Sequence, residues 1–141
     1  MIDLFVKLCM DISQKLGCLF CDLFTDGSRT FLQTTHFFVI LDNFPVNKGH
    51  TLIIPKAHSA DVFSLRADEW SDFPHTLQKT KSFLDHKFHP DGYNIGINCG
   101  ASAGQTIFHT HIHVIPRYAG DIDDPRGGIR NFKEPVKKYI V

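Results

Sequence analysis

Apolar and polar positions divide the chain into a small number of elements. Leu4, Phe5, Leu8, Ile12 and Leu16 recur at helical spacing, which predicts a short amphipathic helix closed by Gly17. Residues 30–34 and 36–41 are rich in β-branched and aromatic side chains and predict two strands, with Thr35-His36 at the turn between them. Residues 42–49 read as a loop, and residues 50–55 predict a third strand halted by Pro55. Between Ala67 and Phe88, the residues Trp70, Phe73, Leu77, Leu84 and Phe88 return at steps of three, four or seven, the apolar face of one long helix. Pro74 lies inside it, where a missing donor and a ring clash predict a kink or a split. Pro90-Asp91-Gly92 is a turn, residues 93–98 a fourth strand, 99–105 a Gly-rich loop and 106–116 a fifth strand. Three strands, a helix and two strands predict an α+β domain, a meandering five-stranded antiparallel sheet with the long helix packed on one face.

The fifth strand carries the candidate chemistry. His109, His111 and His113 alternate with Thr110, Ile112 and Val114, and an extended chain points successive side chains to opposite faces. Three imidazoles therefore share one face, and the other is apolar or β-branched. A plain core would need three sets of hydrogen-bond partners for them, so the face is assigned to function. Imidazoles at i and i+2 chelate a metal, or one acts as a nucleophile supported by its neighbours; spacing alone does not choose. The preceding loop, from Gly96 to Gln105, has neither the helix that follows a dinucleotide fingerprint nor the Lys-Ser/Thr of a P-loop. It is either a tight connection or an anion cradle made of backbone N–H groups. His75, His86 and His89 on the long helix and its end read as surface residues.

With 141 residues the chain predicts a single domain over 1–141: a helical extension over 1–17, a core over 18–116 and an irregular tail over 117–141. Fifteen Lys and Arg balance fifteen Asp and Glu, which leaves no electrostatic footprint for nucleic acid or a membrane surface. The longest apolar run, Phe37 to Leu41, is too short for a bilayer, and Asp3 stands where a signal peptide would be basic. These features predict a soluble cytoplasmic chain. Of Cys9, Cys18, Cys21 and Cys99, the C-x-x-C pair Cys18/Cys21 then points to metal or redox chemistry and not to a structural disulfide. A thioredoxin-like pair would end a strand and open a helix, whereas residues 22–28 read as a short segment and a turn.

The combination Asn98-x-Gly100-x3-Gly104-Gln105-Thr106-x2-His109-x-His111-x-His113-x2-Pro116-Arg117, preceded by Gly49-His50-Thr51-Leu52-Ile53-Ile54-Pro55-Lys56-x-His58, resembles the histidine triad (HIT) family of nucleotide hydrolases and transferases. The resemblance spans residues 18–125 and implies a HIT-like fold, a purine nucleotide or dinucleoside polyphosphate substrate and a homodimer. It makes His111 the nucleophile at the α-phosphorus, with His109 and His113 the other members of the triad and His113 on the α-phosphate oxygens. His50, Asn98, Gly104, Gln105 and Thr106 match phosphate and leaving-group contacts, and Asp42 matches the ribose contact. In zinc-bearing members a C-x-x-C pair joins the histidine after Pro-Lys-x and the first triad histidine. Cys18, Cys21, His58 and His109 fill all four positions, implying a Cys2His2 structural zinc. The continuation Pro116-Arg117-Tyr118-Ala119-Gly120-Asp121 resembles the diadenosine polyphosphate hydrolase branch, which releases AMP. An AMP phosphoramidate or aminoacyl-adenylate hydrolase, a phosphorylase, and a nucleotide-binding interaction module without turnover are the alternatives. Arg126, Arg130 and Lys133 either reach distal phosphates or belong to a solvated tail.

Overall fold

A computed structural model describes residues 14–131. The helix expected over residues 4–16 lies outside this span apart from residues 14–16, which are not helical. Five strands, β1 (Thr30–Gln33), β2 (Phe37–Leu41), β3 (Thr51–Pro55), β4 (Gly92–Ile97) and β5 (Ile112–Arg117), form one antiparallel sheet in the order β1-β2-β3-β5-β4. The first three meander. The chain then leaves through a helix, lays β4 at the far edge and returns with β5 between β4 and β3, so that Leu52 and Gly96 both pair with His113.

Both faces of the sheet are covered, which explains the unbroken apolar runs of β2 and β3. Phe37, Val39, Ile53, Ile112 and Val114 pack with Leu84 of α2 (Ala67–Phe88), while Phe38, Ile40, Leu52 and Ile54 pack with Cys18, Phe20 and Cys21. Each fully buried side chain of this size stabilises the fold by about 1.5–3 kcal/mol. Asp72 of α2 accepts from the Thr34 hydroxyl and the His36 N–H, both at 2.8 Å, and clamps the β1–β2 turn to the helix. Pro74 does not split α2, which runs unbroken for 22 residues. Its ring lies on the exposed side, and the packing of Thr76, Thr80 and Leu84 outweighs one lost backbone bond. Among the described residues no helix is long and apolar enough to cross a membrane.

Two sequence expectations need correction. Residues 22–28, expected to be a short segment and a turn, instead continue and close a helix, α1 (Leu19–Asp26). Gly27, left-handed at φ 69°, caps it through its N–H to the Leu23 carbonyl. Cys18 is the N-cap and Cys21 lies in the first turn, so the cysteine pair does open a helix, although no strand precedes it among the described residues. The fifth strand begins at Ile112 and not at residue 106. Upstream, Thr110 turns away from the ladder, its N–H donating to the Ser59 carbonyl at 2.7 Å and its hydroxyl lying 2.7 Å from that of Ser59.

Gly49, which leads into β3, has φ +83°, and a Cβ there would lie 2.9 Å from Phe88 Cδ2 at the end of α2. The left-handed backbone and the close ring act together, so Gly49→Ala is expected to cost about 2–3 kcal/mol in denaturant unfolding. A loss below about 0.5 kcal/mol would contradict this packing.

Candidate active site and metal centre

Four ligand-type side chains converge where α1 begins. Cys18 and Cys21 come from its first turn, His58 from the segment after β3 and His109 from the approach to β5. Cys18 Sγ lies 3.3 Å from His109 Nδ1, and Cys21 Sγ lies 3.6 Å from both His109 Nδ1 and His58 Nδ1. Bonds of about 2.3 Å to sulfur and 2.0–2.1 Å to nitrogen would place sulfur and nitrogen ligands of a tetrahedral zinc about 3.5 Å apart. These separations fit a zinc ion, and all four ligand atoms lie within 4.8 Å of one another. The hydrogen of His109 Nε2 goes to the Pro55 carbonyl at 2.9 Å, which leaves the Nδ1 lone pair facing the sulfurs. Burial pushes His109 down to about 4, so the ring is neutral, and burial pushes the Cys21 thiol up to about 11.

The other two triad histidines face a cleft of about 210 Å³ beside this centre. His111 is buried, stacked obliquely on Phe20 with ring centroids 5.1 Å apart, and its Nδ1–H donates to the His109 carbonyl at 2.8 Å. That bond leaves Nε2 with a lone pair. His113 is set the other way round by a chain of two bonds. Val46 N–H donates to His50 Nδ1 at 3.2 Å, so the hydrogen of neutral His50 sits on Nε2, 2.9 Å from His113 Nδ1. Nδ1 of His113 is thereby an acceptor and its Nε2 carries the hydrogen. Neighbouring rings thus present opposite polarity, a nucleophilic nitrogen on His111 and a hydrogen-bond donor on His113.

Asp42 and Thr106 line the same cleft as His111 and His113. His50 stands behind His113, within 3.6 Å of an Asp42 oxygen. Three expected contacts lie elsewhere. Gln105 is buried, accepting from Gly100 N–H at 2.8 Å and donating to the Ala60 and Ile107 carbonyls, so it pins the Gly-rich loop. Asn98 is exposed, and Gly104 sits beside it in the left-handed region at φ +86°. Arg126 is paired with Asp124, Lys133 and Cys9 lie outside the described residues, and Cys99 is a half-buried free thiol. Sequence reasoning missed the apolar wall of the cleft, Phe20, Leu23, Ile40, Leu52 and Ile107. The spacing of Leu19, Phe20, Leu23 and Phe24 ahead of Gly27 is the signal that could have placed Phe20 and Leu23 on a helix.

Burial lowers His50 as well, and it pushes His113 down to about 4 with help from the facing His111 and His50 rings, while Asp42 opposes. In the unfolded chain such rings take up protons near 6.5. Between that value and about 4 the unfolded state binds more protons than the folded one, so stability falls as pH drops through this window. Above about pH 7 these groups add no pH dependence. Denaturant unfolding at roughly pH 7.5, 6 and 5 is expected to show a steady loss, shallower in His113→Gln. Equal stability at the two ends would contradict neutral, buried rings.

A five-stranded α+β sheet with a Cys2His2 set abutting two oppositely polarised imidazoles defines a histidine-centred domain with an adjoining metal centre. Residues 25–120 match the HIT domain, and the chain belongs to that family. It is 40% identical to an uncharacterized HIT-like protein of Methanocaldococcus jannaschii over 106 residues, covering 74% of this chain and 81% of that protein. It is 35% identical to the bis(5′-adenosyl)-triphosphatase of Dictyostelium discoideum over 97 residues, covering 69% of this chain and 65% of that enzyme. The zinc-bound histidine triad family protein of Mycobacterium smegmatis superposes with a TM-score of 0.67 at 35% identity, covering 75% of this chain and 78% of that one.

Proposed function

We propose that this HIT-family nucleotide hydrolase cleaves a dinucleoside polyphosphate of the diadenosine tetraphosphate type at its α-phosphate, in two steps through His111. The observation that carries the reading is the opposite polarity of the two imidazoles on one cleft. His111 Nε2 attacks the α-phosphorus; the N–P bond forms as the bond to the bridging oxygen breaks, and the leaving nucleotide takes its proton from solvent. The positive charge that develops on the ring is met by the His109 carbonyl at Nδ1–H. His113 Nε2–H donates to the phosphate oxygens as the phosphorus becomes five-coordinate. Water then attacks the same phosphorus and releases one proton to solvent, the N–P bond breaks, AMP leaves and neutral His111 is restored. Asp42 takes the ribose hydroxyls, and the apolar wall from Phe20 to Ile107 receives the base.

In this reading Thr106 completes the phosphate and leaving-group surroundings, His50 acts through His113, and Gln105 holds in place the loop that carries Asn98 and Gly104. Zinc on Cys18, Cys21, His58 and His109 would be structural, tying α1 to the segment that presents His111. The similarity to a triphosphatase that acts on a bis-adenosyl substrate supports the substrate class. A homodimer in the cytoplasm belongs to the same reading; β4 is an edge strand that exposes Ile95, the kind of surface a second copy covers.

Hydrolysis of diadenosine tetraphosphate in ¹⁸O-labelled water tests it. The expected products are AMP and ATP in equal amounts, with the label in AMP alone. Two equivalents of ADP, or label in ATP, would place the attack at another phosphorus and overturn the reading.

A further inference from the structure

Asp42, His50 and His113 form a second convergence of ligand atoms, separate from the Cys2His2 set. His50 Nε2 lies 2.9 Å from His113 Nδ1 and 3.6 Å from Asp42 Oδ2, and all three atoms fall within 4.8 Å of one another. We propose that they form a second divalent-cation site, for a borderline transition-metal ion such as Ni2+, Co2+ or Zn2+.

The donor chemistry sets the class of ion. Two imidazoles and one carboxylate suit first-row transition metals, whereas magnesium and calcium require oxygen-rich shells. Bonds near 2.1 Å place neighbouring donors about 3.0 Å apart in a six-coordinate shell and about 3.4 Å apart in a four-coordinate one, and the two measured separations bracket these values.

The three residues are held in place before any ion arrives. Asp42 directly follows β2 and His50 directly precedes β3, and the Asp42 N–H donates to the His50 carbonyl at 2.9 Å, which joins the two ends of the intervening loop. His113 is fixed in the ladder opposite Leu52. The side chains of His50 and Asp42 are only 4% and 16% exposed. Phe44 N–H occupies Oδ1 of Asp42, which leaves Oδ2 for the ion.

The proton balance is simple. His113 already has its lone pair on Nδ1. His50 moves its hydrogen from Nε2 to Nδ1 and coordinates through Nε2, so no proton leaves the protein. The cost is the His50–His113 hydrogen bond, which the two metal bonds replace, and the 3.2 Å bond from Val46 N–H, which must turn aside because the His50 Nδ1–H would otherwise face a second donor. The hydrogen on His113 Nε2 stays in place, with a cation now behind the ring.

The test uses the full chain, loaded with a single equivalent of Zn2+ per chain for the Cys2His2 set and then titrated with Ni2+ without nucleotide, so its outcome is independent of the hydrolase reading. Calorimetry with elemental analysis is expected to show about one further ion per chain, weakened about tenfold or more in both His50→Gln and Asp42→Asn and unchanged in His75→Gln. Co2+ at this site is expected to give d–d bands without thiolate-to-metal charge transfer. The proposal is overturned if no further ion binds, if either folded site variant binds it as the wild type does, or if the charge-transfer band of a cysteine-bound ion accompanies it. Circular dichroism of each variant separates a lost site from a lost fold, and the two substitutions sit on different segments, so one folded variant is enough to decide.

Discussion

Replacing His111 by alanine is expected to lower turnover of a dinucleoside polyphosphate by about a thousandfold or more, while AMP binds within a few-fold of wild type. The asymmetry follows from what the ring does. Its Nε2 is the one lone pair that the hydrogen-bond pattern leaves for attack, so removing it removes the covalent step and not the pocket. The wall from Phe20 to Ile107, the Asp42 carboxylate and His113 all remain. His113→Ala differs: it removes a donor to the phosphate oxygens and is expected to cost about a hundredfold in kcat, with weaker AMP binding as well. If His111→Ala kept turnover within tenfold of wild type, the attacking group would have to be sought elsewhere.

How much of this could be read in the chain depends on how local each signal is. The long helix was legible to the residue because five apolar side chains repeat over 22 positions, and β1 to β4 came within a residue of their observed ends. Helix α1 escapes the pattern because eight residues hold barely two turns of periodicity, and without it nothing in the sequence brings Phe20 to the site. The alternation of the histidine stretch predicts one continuous strand over residues 106–116, on which spacing alone makes the three imidazoles equivalent. In the structure Thr110 pairs with Ser59, which takes residues 106–111 out of the ladder and lets His109 reach the cysteines. Spacing does not separate His111 from His113, and only the family resemblance assigns them different roles; the hydrogen bonds that set their polarity involve a partner 63 residues away in one case and a backbone carbonyl two residues away in the other. Gln105 shows the reverse: its motif position suggests a phosphate contact, and its side chain is turned onto three backbone groups.

The second large effect is expected at the metal centre. Cys21→Ser should leave protein that retains almost no zinc after desalting, whereas the wild type reconstituted with zinc retains about one ion per chain on this set. The thermal midpoint should fall by about 10 °C, corresponding to roughly 3–4 kcal/mol for a domain of this size. The ion would join three segments, residues 18–21, residue 58 and residue 109, and Cys21 lies in the core with 2% exposure. A ligand lost there removes a cross-link and leaves a poorly packed polar atom among Phe38, Ile40 and Ile54. Turnover should fall too, because the His109 carbonyl that orients His111 belongs to a residue of the proposed metal set. Wild-type protein that takes up no zinc, together with a variant melting within about 2 °C of it, would contradict the Cys2His2 centre.

The account turns on one covalent bond, between His111 Nε2 and the α-phosphorus. Acid-avoiding quench of wild-type enzyme during turnover of diadenosine tetraphosphate, followed by peptide mass spectrometry, observes it directly. An AMP adduct on His111 that vanishes on further incubation is the expected result, and an adduct on His113, or steady turnover with no adduct on either ring, would contradict it.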